Sequence, residues 1–307
     1  MTVREAVRGA AVLLAEAGVP SPEVDARLLA EHVLGRALYL LPAGATFDRA
    51  DGEPADKGSA DGGSGDGGPA GGGPDLQARF AELVERRRRR EPLQHLTGSM
   101  AFRHLTLAAG PGAFVVRPET EVVAEAAIGA LRRAGSAAPV AVDLCTGSGA
   151  IALAVATEVP GAIVHAVELS PAAAAVARRN VAALAPSVHL VEGDAATALP
   201  ELDGSVDVVV ANPPYIPPGA VPREVEVREH DPDLALYGGG ADGLDTPRAV
   251  VARAARLLRP GGVLVMEHAE VQAAAVRHLV AGAGFVDVVT GTDLTGRDRY
   301  VTARRAG

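Results

Sequence analysis

Apolar residues near the start of the chain recur at helical spacing, Val3, Val7, Ala10 and Leu14. A second such stretch begins at Ser21-Pro22-Glu23-Val24, where serine suits an N-cap and proline the first helical position. This pattern predicts a helical region from residue 3 to about residue 41. Apolar residues then vanish, and residues 51–74 hold ten glycines and several aspartates. Such a segment cannot bury enough surface to offset the entropy of ordering it, so a disordered insertion is expected. Helical character resumes at Asp75, runs through Phe80, Leu83 and Val84 into five arginines at 86–90, and is closed by Pro92. Between residues 93 and 116, short apolar stretches separated by Gly98, Gly110 and Gly112 predict a hairpin-like connector.

From Val140 the period changes. Short apolar runs at 140–144, 162–167, 188–192, 206–211 and 262–267 alternate with helical stretches at 150–158, 171–184 (Ser170 as N-cap) and 247–258. That alternation predicts a largely parallel sheet with helices on both faces. Runs at 285–290 and 299–303 add two strands at one edge, antiparallel because their connection is short. The fold class expected is α/β. The domains expected are a small all-α domain over 1–91, a β-hairpin connector over 92–117 and an α/β domain over 118–307.

Composition narrows the function classes. The 307 residues are 48% hydrophobic and 22% charged, enough for a sizeable core. The 36 glycines do not recur every third residue, which excludes a collagen-like chain. A formal charge of -9 lacks the basic footprint of a protein that grips nucleic-acid phosphates, so no stable nucleic-acid binding is expected. One cysteine, Cys145, excludes an intramolecular disulfide and a multi-cysteine zinc site, and fits a reducing cytoplasm. Glu5 and Glu16 interrupt the first apolar run, which is too short for a signal sequence or a membrane span, so no membrane partner is expected.

Three segments fall at the carboxyl ends of predicted strands, the edge where open α/β sheets bind ligands. The first runs from Asp143 to Ile151 and contains Thr146-Gly147-Ser148-Gly149-Ala150. Glycine there permits a tight turn and a close ligand approach. Glu168 ends the next strand, where a carboxylate can accept hydrogen bonds from both ribose hydroxyls of an adenosine. Ile151 and Ala152 stand where a dinucleotide fingerprint would place a third glycine, which favours a nucleoside without a pyrophosphate. Gly193-Asp194 follows the third strand, within reach of an adenine amino group by position. A turn aspartate with no ligand is an equal reading.

The third segment is Asn212-Pro213-Pro214-Tyr215. Its prolines restrict Asn212 and Pro213 to extended conformations, so the Asn212 side chain and the Pro213 carbonyl form a rigid pair of acceptors. An amide or aryl NH2 is a poor nucleophile because its lone pair is delocalised. Two fixed acceptors can hold its hydrogens and aim the lone pair at an electrophilic carbon while the Tyr215 ring packs on the flat group. No strong base is needed, since a sulfonium donor loses its charge as the methyl moves.

These residues resemble class I S-adenosylmethionine-dependent methyltransferases, and among them the PrmC/HemK protein-(glutamine-N5) methyltransferases. The resemblance spans nearly all of the chain outside the glycine-rich insertion. Glu91-Pro-Leu-Gln-His-Leu-Thr-Gly98 with Phe102 is similar to the family's inter-domain segment, and Arg117-Pro-Glu-Thr-Glu121 to its R-P-E-T-E signature. Residues 143–151 are similar to its cofactor loop and 212–216 to its N-P-P-Y-I motif. Asp231-Pro232, Gly239, residues 242–244 and residues 293–299 resemble its later segments.

The resemblance implies a Rossmann-like seven-stranded methyltransferase domain behind a helical recognition domain. S-adenosyl-L-methionine is the implied cofactor, and the implied substrate is the glutamine of the Gly-Gly-Gln motif in class 1 peptide chain release factors. By position, Thr146, Gly147, Ser148, Gly149, Ala150, Glu168, Asp194, Ala195 and Asn212 would bind the cofactor. Asn212, Pro213, Pro214 and Tyr215 would take the glutamine, with Asn212, Pro213 and Tyr215 catalytic. A cytoplasmic monomer is expected. The chain departs from the family at Cys145, where glycine is usual, at Glu168 and Asp231, where aspartate and glutamate are, and at Ala195, which lacks an aromatic ring for adenine.

Two alternatives stay open: a glutamine of a large-subunit ribosomal protein, and adenine N6 in nucleic acid. The arginine run reads as a solvated helix end offset by Glu85 and Glu91. Arg117, Glu119 and Glu121 read either as the floor of the active site or as a structural ion-pair cluster. Glu267-His268 lacks a second histidine at ligand spacing, so no metal site is expected. Deleting residues 51–74 is expected to leave methyl transfer unchanged, which parallel rate measurements on the shortened and full chains would check.

Overall fold

The computed structural model describes residues 1–47 and 75–307; the expected insertion at 51–74 lies outside the described residues. The chain divides into two compact units, Met1–Thr97 and Gly98–Gly307.

In the first unit, α1 (Val3–Glu16) opens with a capping box between Thr2 and Glu5, and α2 (Pro22–Leu34) starts with proline in its first turn. They are followed by α3 (Leu76–Arg88) and a short α4 (Leu93–Thr97). Val3, Leu14, Leu29, Phe80 and Leu83 meet in one core, where the Phe47 and Phe80 rings stack at 5.1 Å. The arginine run needs a correction. Arg86 and Arg88 do pair with Glu91 and Glu85, but Arg87 turns inward and its Nε donates to Asp25 Oδ2 at 2.7 Å, with both side chains buried. A charge in the sequence gives no sign that a partner 62 positions away will neutralise it.

The second unit begins with a hairpin, β1 (Ser99–Phe102) and β2 (Leu105–Ala108), so the segment read as a connector is one helical turn followed by a hairpin that clusters with the second unit. Next come α5 (Thr120–Arg133), a helix beyond those the sequence predicts, β3 (Val140–Leu144), α6 (Ala150–Glu158), β4 (Ile163–Glu168) and α7 (Pro171–Leu184), capped by Ser170 as expected. Then follow β5 (His189–Glu192), β6 (Val206–Ala211) and three helices, α8 (Val225–His230), α9 (Asp233–Leu236) and α10 (Asp245–Leu257). The chain ends with β7 (Leu258–Glu267), α11 (Ala273–Gly282), β8 (Phe285–Thr292) and β9 (Asp298–Arg305).

Among the described residues the main sheet has seven strands in the order β5-β4-β3-β6-β7-β9-β8, parallel except for β9, which inserts between β7 and β8. Strands β3 and β6 are buried on both faces, which is why both read as nearly continuous apolar runs. Their side chains alternate: Ala141, Val208 and Val210 enter the core under α5 and α6, while Val142, Val209 and Ala211 enter the core under α10 and α11. The winding reverses at β3, which lies between β4 and β6, so a crevice opens at their carboxyl ends.

Buried Asn180 of α7 crosses that region. Its Oδ1 accepts from the Ala108 N–H at 2.7 Å and its Nδ2 donates to the carbonyls of Ala108 and Ser148, tying the hairpin to the glycine loop. Among the described residues no helix is long and apolar enough to cross a membrane. Asp25→Asn, which removes the buried carboxylate that the Arg87 Nε donates to, is expected to destabilise the chain by more than about 1 kcal/mol, read from urea unfolding of the full chain.

Candidate active site

The crevice is a cavity of about 560 Å³, within the range that small-molecule and cofactor sites occupy. Thr146, Gly147, Ser148, Ala150, Glu168, Asp194 and Ala195 line it together with Asn212, Pro213, Pro214 and Tyr215. Of the residues predicted from sequence, Gly149 alone lies outside the lining. It caps α6 at φ 87°, and a side chain there would press on Leu153.

Backbone geometry shapes the glycine loop. Cys145 sits at φ 64°, a left-handed conformation that strains any residue with a Cβ and accounts for the glycine usual there. Burial and the carboxylates of Glu168, Asp143 and Asp194 push its thiol well above the usual range. The Thr146 hydroxyl faces inward and donates to Asp143 Oδ2 at 2.5 Å, and the Ala152 N–H donates to the same oxygen at 3.1 Å. Asp143 thus fastens both ends of the loop from beneath, and burial pushes its pKa up to about 7.

The Glu168 carboxylate accepts from the Gly147 N–H at 2.7 Å and the Ser170 N–H at 2.8 Å, one on each oxygen. Each oxygen keeps a further lone pair, so the group is oriented without being used up. A Cβ at Gly147 would meet no protein atom within 4 Å, although the residue lines the cavity. A fixed carboxylate beside an open cradle suits a nucleoside with two adjacent hydroxyls. Asp194 forms its own turn by accepting from the Ala196 N–H at 2.8 Å, and Leu169 adds apolar surface to the cavity wall.

Residues 212–215 leave β6 without entering another strand. Asn212 donates from Nδ2 to the Thr120 hydroxyl at 3.3 Å, and its Oδ1 accepts from no described residue. The loop is held from behind. Gln272 Nε2 donates to the Tyr215 carbonyl at 2.8 Å and to the Asp242 carbonyl at 2.9 Å. A Cβ at Gly238 would overlap the carbonyls of Pro214 and Gly243, and one at Gly243 would overlap that of Tyr215. The glycines of the 238–243 segment are therefore what lets two backbones touch.

The R-P-E-T-E segment divides its work. Arg117 pairs with buried Asp231 at 2.6 Å and lies over the Phe114 ring at 5.0 Å, and Arg117 and Phe114 line the cavity. Glu121 Oε1 accepts from the Arg103 N–H at 2.9 Å, away from the cavity, and Thr120 lines it. Glu267, weighed in the sequence only for metal binding, accepts from the Tyr215 hydroxyl at 3.2 Å. Nothing local in the sequence marks Glu267 and Arg299 as neighbours of Tyr215, or Thr120 as a neighbour of Asn212, because they come from three separate elements.

The chain is similar to known methyltransferases. The family model described as methyltransferase small domain matches residues 109–227, and the PrmC N-terminal domain matches 5–41 and 73–98. The chain is 43% identical to a release factor glutamine methyltransferase of Bifidobacterium longum, over 99% of both chains. It is 46% identical to one of Streptomyces coelicolor, over 95% of this chain and 94% of that protein. A 4-amino-L-phenylalanine/4-methylamino-L-phenylalanine methyltransferase of Streptomyces pristinaespiralis is 48% identical over 67% of this chain and 70% of its own. Among solved structures, a methyltransferase from Pyrococcus furiosus shares the fold, with a TM-score of 0.50 at 18% identity over 75% of this chain and 98% of that one. A full-length match at this identity, together with the N-terminal domain match, means that the chain belongs to the release factor glutamine methyltransferase family.

Proposed function

We propose that this protein transfers a methyl group from S-adenosyl-L-methionine to the side-chain amide nitrogen of the glutamine in the Gly-Gly-Gln motif of class 1 peptide chain release factors. The observation that carries the reading is the acceptor pair. Asn212 Oδ1 and the Pro213 carbonyl lie in the same cavity as Glu168, and neither accepts from a described residue. When bound, S-adenosyl-L-methionine supplies an electrophilic methyl on a sulfonium.

The protein's part is recognition and alignment. Glu168 accepts from ribose hydroxyls, Gly147 and Ala150 leave room for the nucleoside and amino-acid parts, and Asp194 and Ala195 border the adenine. Thr146 and Gly149 act by shaping the loop. Asn212 and Pro213 each accept one N–H of the glutamine amide, which turns the nitrogen lone pair toward the methyl group. Pro214 keeps the loop extended, and the Tyr215 ring packs on the amide plane. The proton left on nitrogen after transfer passes to water. A translation factor as substrate puts the reaction in the cytoplasm, and no nucleic acid or second copy is needed to complete the site.

A second reading, transfer to a free aryl amine, is favoured by the relative that acts on 4-amino-L-phenylalanine. Asn212 and Pro213 would hold an aryl NH2 as they hold an amide. Release factors are preferred because the match to their methyltransferases runs through the helical domain as well.

Labelled methyl transfer to a purified release factor, beside the same factor with that glutamine changed to alanine, tests the proposal. Label on the first alone is the expected result. Label on neither, with 4-amino-L-phenylalanine methylated instead, would move the assignment to the aryl amine. Asn212→Ala is expected to lower kcat at least about 100-fold while leaving the circular-dichroism spectrum and thermal transition unchanged. Near-normal turnover in that variant would sink the acceptor-pair mechanism.

A further inference from the structure

We propose that Glu267 is a positioning residue for the acceptor loop, holding the Tyr215 hydroxyl so that the Tyr215 ring is fixed against the substrate amide. This rests on the reading that Asn212 and Tyr215 receive the glutamine.

Glu267 ends β7 opposite Tyr300 of β9 and is 2% exposed. Burying a carboxyl at a sheet end is costly, and an apolar residue of similar volume would serve packing better. Four groups face it. The Tyr215 hydroxyl donates to its Oε1 at 3.2 Å, the nearby Thr120 hydroxyl favours the charged form, and Oε2 accepts from no described residue. Arg299 of β9 is the nearby cation, and Glu119, just before α5, is the like charge that opposes it. Arg299 is itself held by Asp293 at 3.2 Å, and Asp293 accepts from the Thr295 hydroxyl and the backbone of Thr295 and Arg297. The 293–299 turn singled out in the sequence is thereby a mount for one arginine. His268 turns away, with its Nδ1 against the Ala269 carbonyl.

The hydrogen bond fixes the ring. A charged Glu267 can only accept, so it holds the Tyr215 hydroxyl as the donor. Once Glu267 is protonated it becomes a donor itself, the Tyr215 hydroxyl is free to rotate, and the ring loses its fixed tether. Burial raises the Glu267 pKa to about 7, so the charged, ordering form prevails above that pH and is lost below it.

The test uses the full chain with a release factor at saturation. Wild-type kcat is expected to fall as pH drops through about 7. Glu267→Gln is expected to show a flat profile, lowered about 10- to 100-fold, with the S-adenosyl-L-methionine dissociation constant unchanged. A second readout needs no substrate: the ring-carbon NMR signal of Tyr215, assigned with Tyr215→Phe, should step with pH in the same range in the wild type and stay constant in Glu267→Gln. A Glu267→Gln enzyme that keeps the wild-type rate and pH limb, or a wild-type Tyr215 signal without the step, overturns the proposal. If the wild type fails to methylate the release factor, the functional reading falls, while the Tyr215 signal still decides the role of Glu267.

Discussion

The site depends on keeping residues 212–215 rigid, with the Asn212 Oδ1 and the Pro213 carbonyl unpaired, at the end of a fully buried strand. Free carbonyls at such a place normally find partners or water. Two prolines remove donors and fix the chain direction, while the 238–243 segment presses against the loop so closely that a side chain at Gly238 or Gly243 would collide with it. Gln272 fixes both strands of that contact through the Tyr215 and Asp242 carbonyls. What stays free, the Asn212 Oδ1 and the Pro213 carbonyl, is what a substrate N–H requires.

Three buried carboxyls organise the crevice in different ways. Asp143 lies beneath the glycine loop and holds it through Oδ2 alone, Glu168 is oriented by two backbone N–H groups yet keeps capacity for a ligand, and Glu267 backs the acceptor loop. Their positions follow from topology, since β3, β4 and β7 all end at the same edge. A parallel sheet gathers chemistry from distant parts of a chain because every strand delivers its last residue to that edge.

Strands β3 and β6, the α6 and α7 helices with the Ser170 cap, and the three ligand-edge segments were legible in the sequence. Periodicity, caps and glycine placement are local signals, and a buried strand must be apolar wherever it lies. The family resemblance was equally legible because its motifs are contiguous. The inward turn of Arg87 was not, nor was the Asn180 bridge, for the partner of each is set by how elements pack.

The sequence by itself determined the alternation of strands and helices, the position of the glycine loop and the extended conformation of 212–215, because each follows from the residues' own backbone preferences. Tertiary structure alone decided that Glu267 and Arg299 stand behind Tyr215 and Thr120 beside Asn212, that β9 enters between β7 and β8, and that Gly149 shapes the loop without lining the cavity. Those outcomes turn on distances between groups far apart in the chain, and only the packed sheet and its helices fix such distances.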